Sequence, residues 1–427
     1  MAAVLELFTP TRTESGGSYT GWSYEKKVLY HSDTIGSLQG KTIAFDTKCT
    51  VIDNQAGSLT FTIKPDNPCY NSIFVRRSEV LLTINENPLW CGYVSKIQDN
   101  FYRQKTVTCT GCVLYLQDSI LPTNLYRLPY NQSDRNMRSL LYGPQSGTAG
   151  QADYTGAGWI RQHSTQMGDC LWKRFTVPDI SQVNDYCIRG VSDFSLVSLY
   201  SSDYVTPWTM LTKQIIEGST VHIKPIYSVT PYGYVSKALV IYANDTAVMS
   251  HNPATKTIRF GKNLVDYAKT LTSDKVYSDI FPVGAEVEGD FDEIKNRVTI
   301  ESVNSGLQYI ENDDSVTSYG RIFTAKKYSD FKNISQAQSF RDSGLYELLS
   351  SRESIESLEV TAVDLYNLTN DSGVTKVCDT LRIYSEVHGI DTTLICTKAE
   401  YNIDNPKSSK LYFGKQKKKV SVYLKVA

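Results

Sequence analysis

Along much of this chain apolar and polar residues alternate in short runs separated by Gly, Asn, Asp and Pro, which is the pattern of strands and turns. Leu59, Phe61 and Ile63 share one face of such a run, and Pro65-Asp66-Asn67-Pro68 marks the turn after it. Residues 79–84 predict a strand, 85–88 its turn and 89–94 the return. The longest alternation, 105–116, puts Val107, Cys109, Val113 and Tyr115 on one face and Cys112, Leu114 and Leu116 on the other. Between 257 and 323 the same grammar continues. Gly261-Lys262-Asn263 closes one strand and admits Leu264-Val265, while Pro282 demotes its run to an edge strand or a strand end. Arg297-Val298-Thr299-Ile300, the turn Asn304-Ser305-Gly306 and Leu307 to Ile310 predict a hairpin.

Helical periodicity is the minority signal. Ser133 caps a predicted short helix through Tyr142, stopped by Gly143-Pro144, and the Gly/Ser/Thr-rich stretch 143–158 predicts an exposed loop. Residues 172–177 predict a strand. Thr206-Pro207 is a helix start, a hydroxyl cap followed by Pro at the first helical position, with Trp208, Leu211 and Ile215 on one face and Gly218 at the end. Strands resume at 221–223 and 238–242. Ala337, Phe340, Gly344 and Leu348 have helical spacing within 335–351, and the chain returns to strand from Leu358 onward.

Two distant segments share one order of features. Residues 79–84, a turn, a strand through Tyr93-Val94-Ser95-Lys96-Ile97, Asp99-Asn100 and a strand from Lys105 form the first. Residues 379–384, a turn at His388-Gly389, a strand through Leu394-Ile395-Cys396-Thr397-Lys398, Asp404-Asn405 and a strand from Lys410 form the second. Two like modules in one chain give pseudo-sixfold order in a homotrimer, and closed cyclic assembly is the common way for proteins to oligomerise.

Composition agrees with β structure. Tyr occurs 29 times against 14 Phe and 5 Trp, and Tyr favours half-buried sheets and interfaces. At 427 residues and 41% apolar content the chain is globular and too long for one core. The expected class is β-rich α+β and multidomain, with divisions at 1–121 (β module), 122–218 (α+β insertion), 219–356 (central α+β domain) and 357–427 (the β segment that completes a second module). A net charge of −1 provides no field for binding nucleic acid. The basic run 415–419 is read as a Lys-protected strand edge, with a nucleic-acid contact as the alternative. No apolar run is long enough to span a bilayer, and the N-terminus lacks the basic region of a secretory signal. Nine cysteines, mostly in strand-like runs, predict free thiols made in a reducing cytosol.

Phe260-Gly-Lys-Asn-Leu-Val-Asp-Tyr267, the turn Pro282 to Asp290, Val298-Thr-Ile300 with Val303-Asn304, Gly306 and Tyr309-Ile310, and then Tyr319-Gly320 with Ile322 resemble the hub region of phage tail-tip proteins. This is the N-terminal part of tail-associated lysins, the prophage tail endopeptidase family, similar in fold to contractile-phage baseplate hubs. The resemblance is clearest over 40–120 and 257–414 and weakest over 126–202. It implies two tail-tube-like β-sandwich or barrel modules per chain, in a homotrimeric ring that adapts a sixfold tube to a threefold tip. The implied partners are the distal tail protein ring, the tape measure protein and tip fibre or receptor-binding proteins, in a virion tail tip made in the host cytoplasm. DNA would pass through the ring without specific binding. Family members often carry a peptidoglycan hydrolase after the hub, and Ala427 falls near the expected hub boundary, so that half is not expected in this chain.

No catalytic, cofactor-binding or metal site is singled out by the sequence. The histidines are His31, His163, His222, His251 and His388, and no H-E-x-x-H, G-x-S-x-G or Walker motif is present. His163 with Cys170 could form a nucleophile pair, or be a surface His and a packed Cys. Cys109-x-x-Cys112 lacks the following helix of a redox motif and a second Cys/His pair for zinc, which favours two packed thiols. The acidic turn 284–290 lacks EF-hand spacing. Three function classes remain: a structural hub, a peptidoglycan-degrading enzyme, and a carbohydrate-binding module built on Tyr154, Trp159, Trp172 and Tyr186. The hub is the expected one, and the chain is expected not to be an enzyme.

Overall fold

The computed structural model describes residues 3–32, 42–121, 159–175, 188–189, 204–216, 221–242, 245–272, 276–288, 295–328, 337–350, 355–363 and 374–414. The expected helix at 133–142, the loop at 143–158 and the basic run 415–419 lie outside them.

The alternating runs form strands. In chain order these are β1 (Ala3–Ser15), β2 (Ser18–His31), β3 (Ala44–Ile52), β4 (Ser58–Ile63), β5 (Glu79–Ile84), β6 (Asn87–Asp99) and β7 (Lys105–Gly111). The β5–β6 turn places Asn85 and Glu86 at φ of 48° and 64°, the backbone of a two-residue hairpin turn. Next come β8 (Ile188–Arg189), β9 (His222–Val229), β10 (Val235–Tyr242), β11 (Thr257–Arg259) and β12 (Leu264–Thr272). After them follow β13 (Asp279–Val283), β14 (Glu286–Glu288), β15 (Lys295–Arg297), β16 (Ile310–Glu311), β17 (Phe323–Lys327), β18 (Ile355–Ala362), β19 (Thr380–Ser385), β20 (Ile390–Asn402) and β21 (Lys410–Phe413). The helices are α1 (Trp159–Gln166), α2 (Pro207–Met210), α3 (Asp245–His251), α4 (Asp313–Tyr319) and α5 (Ala337–Ser350). The fold is strand-rich, with several sheets in more than one unit, as the sequence predicts.

The main sheet runs β12-β18-β21-β20-β3-β4-β7-β6-β5-β1-β2, with β19 on β20 and β11 on β19. β5-β6-β7 is an antiparallel meander, and so is β19-β20-β21. A second sheet has the order β8-β10-β9. One core joins Phe8, Leu81, Cys91 and Tyr93 of the main sheet to Trp159, Trp172, Met210, Leu211, Ile223, Leu239 and Ile241. Thr206 caps α2 as predicted, its side-chain oxygen accepting from Thr209 N–H at 3.2 Å.

Two compact units emerge, residues 1–267 with 359–427, and residues 268–358. The second unit has its own core of Ile280, Val298, Ile300, Ile310, Phe340 and Leu348. On α5, Ala337, Phe340, Gly344 and Leu348 are all buried, as their spacing predicts. Pro282 lies in β13, beyond the two residues that pair with β16, so its missing N–H falls where only β17 is a neighbour.

Three sequence expectations are corrected. The alternation 105–116 ends at Gly111, and Cys112–Gln117 is a 3₁₀ turn that buries Cys112, Val113, Tyr115 and Leu116 together. In the described part of the strand expected at 172–177, residues 171–173 are instead a 3₁₀ turn and Phe175 makes a bridge to Lys237; residues 176–177 lie outside the described residues. The hairpin across 304–306 does not form: β15 pairs with β14, β16 pairs with β13, and Glu301–Val303 is a 3₁₀ turn.

Candidate functional site

The two meanders match in backbone detail. Arg76, at φ 63°, donates its N–H to the Val94 carbonyl at 2.7 Å, and Val94 N–H donates to Ser78 at 2.9 Å. Cys378, at φ 66°, donates to the Cys396 carbonyl at 2.9 Å, and Cys396 N–H donates to Asp379 at 2.9 Å. Cys378 lies one position later in register than Arg76. Left-handed backbone is uncommon outside Gly, so finding it in both meanders at the residue that donates to the matching carbonyl, Val94 or Cys396, is informative. Each long strand then bulges after that residue. The bulge hydroxyls act alike: Ser95 donates to the Thr108 carbonyl at 3.0 Å and Thr397 to the Tyr412 carbonyl at 3.4 Å. Lys96 and Lys398 follow in the same register, opposite Thr108 and Tyr412. Beyond each meander the next strand also corresponds, Leu59 of β4 facing Cys109 and Val360 of β18 facing Phe413. The repeat read from the sequence is present, and two of its sequence markers shift. Glu79 aligns with Thr380, not Asp379, and the two Asp-Asn pairs fall at different register positions.

The repeats meet edge to edge within the chain. Lys398 to Asn402 of β20 pair antiparallel with Ile52 to Lys48 of β3. Asp53 N–H donates to the Thr397 carbonyl at 2.8 Å, Ile403 N–H to the Thr47 carbonyl at 3.0 Å, and Thr47 N–H to Asp404 Oδ2 at 2.8 Å. Polar side chains brace this junction. Asn54 donates to the Val221 carbonyl at 2.6 Å and accepts from Ile223 N–H at 2.9 Å. His222 lies between Asp53 Oδ2 at 2.5 Å and Asp245 Oδ1 at 2.8 Å. Burial alone would lower the pKa of this imidazole, but the hydrogen bonds and charges of Asp245 and Asp53 outweigh it and raise it to about 9. Lys224 Nζ stands 3.0 Å from Asp379 Oδ1, just before β19.

A second buried charge pair lies under the first meander. Lys237 Nζ donates to Glu79 Oε1 at 2.9 Å, to the Val235 carbonyl at 2.8 Å and to the Trp172 carbonyl. Burial opposes the ammonium, yet the Glu79 carboxylate holds the proton and the net direction for Lys237 is upward. Burial also pushes Glu79 up, against the pull of Lys237. Three acceptors satisfy all three ammonium protons, so the lysine is charged and pins the 171–173 turn to β5 and β10.

Neither cluster suits a metal ion. Glu79, Cys91 and Cys112 lie within ligand distance of one another, but the Lys237 ammonium already faces Glu79. Asp53, His222 and Cys378 also converge, but an imidazole protonated on both nitrogens has no lone pair to offer.

The candidates drawn from sequence separate on inspection. His163 is buried, not at the surface. Its Nε2–H donates to the Lys173 carbonyl at 2.9 Å and its Nδ1 accepts from Ser119 Oγ at 2.8 Å. Burial lowers its pKa to about 4, against a smaller upward pull from the Lys173 carbonyl, so it is neutral with both nitrogens occupied and cannot activate Cys170. Cys109 and Cys112 are packed thiols in the core. Glu286 of the acidic turn is paired with Arg297, and Asp290 lies outside the described residues. Trp159 and Trp172 are buried, so they form no sugar-stacking platform, and Tyr154 and Tyr186 lie outside the described residues. An open hollow lined by Ile84, Asn87, Leu89, Val374 and Lys376 contains one charged group and no acid–base pair. No described helix is long and apolar enough to cross a membrane.

Residues 252–424 match the model of the prophage endopeptidase tail family. The match takes in β11, the unit 268–358 and the whole second meander, so the phage-tail resemblance read from the sequence is borne out there. The first meander lies outside it. No curated protein matches. Among solved structures, the chain is similar to a tail protein from Neisseria meningitidis MC58, at 11% identity over 97% of each chain and a TM-score of 0.47. It is similar to the 43 kDa tail protein of prophage MuSo2 from Shewanella oneidensis, at 9% identity over 97% of this chain and 98% of that one, TM-score 0.47. A third likeness is to prophage tail protein gp18 from Listeria monocytogenes EGD-e, at 11% identity over 97% and 95%, TM-score 0.42.

Proposed function

We propose that this chain is the structural hub of a phage tail tip, a homotrimeric ring that joins a sixfold tail tube to a threefold tip and forms part of the DNA ejection channel. The observation that carries this reading is the repeated meander and its edge-to-edge junction inside one chain. Three chains of two similar modules present six similar sheets to a sixfold neighbour. The family match over 252–424 supports a place in the tail. On this reading residues 1–121 carry the first tube-like module and 357–427 complete the second, to which β11 and β12 also belong, while 122–218 is an α+β insertion and the rest of 219–356 a central α+β domain. The distal tail protein ring, the tape measure protein and tip fibres or receptor-binding proteins are its neighbours in the virion.

The chain performs no hydrolysis on this reading. The buried His163 and His222 are engaged in structural hydrogen bonds, and the buried Cys109 and Cys112 thiols are pushed up by desolvation, away from the nucleophilic thiolate. Mass measurement and negative-stain imaging of the purified chain test the ring. A threefold ring with six similar lobes is expected, and a strictly monomeric particle would overturn the proposal. Zymography on whole cell walls tests the enzyme reading, with no clearing expected from this chain alone.

A further inference from the structure

In β20 one edge serves two partners. Residues 390–395 pair with β19 and residues 398–402 pair with β3, while β21 lies on the other edge. β6 is the matching strand of the first meander. Its residues 87–93 pair with β5, and β7 occupies the opposite edge from Gly92 to Asp99. Past the bulge, Lys96 to Asp99 have no described strand on the β5 side. Among the described residues this edge is thus unfilled where its twin is filled by β3.

The strand corresponding to β3 is β12. β3 lies beside β4, which lies beside β7, and β12 lies beside β18, which lies beside β21. β12 ends the sheet, so its outer edge is unfilled among the described residues. The two edges correspond in position to the pair that β20 and β3 join within the chain.

Exposure points the same way. Ile403, two residues past Tyr401 in the β3–β20 junction, is 5% exposed. The residue in its place in the first meander is Phe101, two past Asp99, and it is 93% exposed. Tyr102 beside it is 76% exposed, and Val265 on β12 is 56% exposed. A large apolar side chain held fully in water at the tip of a hairpin is the counterpart of one that is buried at the intramolecular junction.

We propose that the open edge of β6, residues 96–99, is completed by β12 of a second copy of this chain, repeating between chains the junction that β3 and β20 make within one. Phe101 and Val265 are buried at that contact. The interface is heterologous, since different edges meet, and it therefore closes into a ring or propagates. This inference rests on the ring reading above and specifies which surfaces build it.

The test uses the full chain. Phe101→Asp and Val265→Asp change side chains already in water in the single chain, so circular dichroism and the melting temperature of the monomer stay as in the wild type. Each substitution is expected to weaken association roughly 30-fold or more, the scale of losing an aromatic or buried apolar anchor. Val387→Asp, at a residue 77% exposed on the β19–β20 turn, leaves assembly intact. A photo-crosslinking benzophenone amino acid in place of Phe101, in a mixture of ¹⁴N and ¹⁵N chains, is expected to join isotopically mixed pairs through peptides covering 260–268. Oligomers that persist in both Asp variants, or crosslinks that land elsewhere, overturn this interface and leave the ring standing. A wild-type chain that remains monomeric at every concentration overturns the ring, and the interface with it.

Discussion

His222 permits a quantitative test of the polar brace at the junction. Its imidazole is held between Asp53 and Asp245 at 2.5 and 2.8 Å, and its pKa is raised from 6.5 to about 9. Below pH 6.5 the imidazole is protonated in folded and unfolded chains alike, and its full contribution to stability is present. Between 6.5 and 9 the unfolded chain gives up the proton and the folded chain keeps it, so the contribution falls as pH rises and is gone above about 9. At 1.36 kcal/mol per unit, the difference amounts to about 3 kcal/mol. All five tryptophans, Trp22, Trp90, Trp159, Trp172 and Trp208, lie in the larger unit, so their fluorescence reports its unfolding. Urea titrations of wild type and His222→Gln at pH 6, 7.5 and 9.5 would be compared. The variant should be much the weaker at pH 6, about 2 kcal/mol of the pH-dependent difference should remain at 7.5, and it should vanish at 9.5. Titrating thiols and tyrosines cancel in the comparison. A penalty that is the same at all three pH values would refute the argument, because it would mean the brace acts through shape and not charge. Asp53 is 12% exposed and Asp245 is 42% exposed, so Asp53→Asn should cost more than Asp245→Asn.

Other consequences can be measured with the same preparations. Lys237→Met leaves Glu79 buried without its cation and should cost roughly 3–5 kcal/mol, while Lys237→Met with Glu79→Leu should recover most of it, read by urea unfolding. At Gly344 a Cβ would lie 2.6 Å from Pro282 Cγ and 3.0 Å from Ile310 Cδ1. Gly344→Ala should therefore lower stability by about 1–3 kcal/mol from overpacking, against a helix-propensity gain of about 1, read by hydrogen exchange on α5. Among the described cysteines, Cys170 is half-buried and the others are buried, with the Cys69 thiol pushed up to about 12 by burial. Mass spectrometry after brief alkylation of the native chain should find Cys170 labelled ahead of the other described cysteines, and early labelling of Cys49 or Cys109 would contradict the packing.

The parts of the fold that could be read from sequence are those with a local cause. The Thr206 cap, the α5 spacing and the β5–β6 turn each depend on residues within a few positions of one another. The failures are non-local or ambiguous in period. In 112–116 nearly every position is apolar, so a period of two and a period of three fit equally well. At Gly111 a Cβ would run into the Ala56 carbonyl, and the chain leaves the sheet just after this residue. At 297–310 the turn residues are right, but the partners come from β14 and β13, which no local signal names. The Glu79–Lys237 pair spans 158 residues, so spacing could not reveal it. One signal was available: Lys237 shares the parity of Val235, Leu239 and Ile241, which places a lysine on the apolar face of β10 and requires a buried acid to meet it.

The repeat was legible at low identity because what it conserves is backbone geometry that several residue types can supply. Arg76 and Cys378 share a left-handed conformation and a carbonyl to cap, not a side-chain chemistry, and Ser95 and Thr397 share a hydroxyl. The two junctions of the proposed ring then differ in the way assembly demands. The one inside the chain forms on folding and can rely on buried charge, the Asp53–His222–Asp245 brace, because its partners never separate. The one between chains must remain soluble until a second copy arrives. Lys96, Gln98 and Asp99 keep that edge polar, which discourages indiscriminate strand pairing, while Phe101 is left in water to be buried when the intended strand docks. An edge with charges along its length and one apolar residue at its end is selective: a flat, uncharged strand gains little from it, whereas a strand ending in Val265 gains a matched contact at the tip.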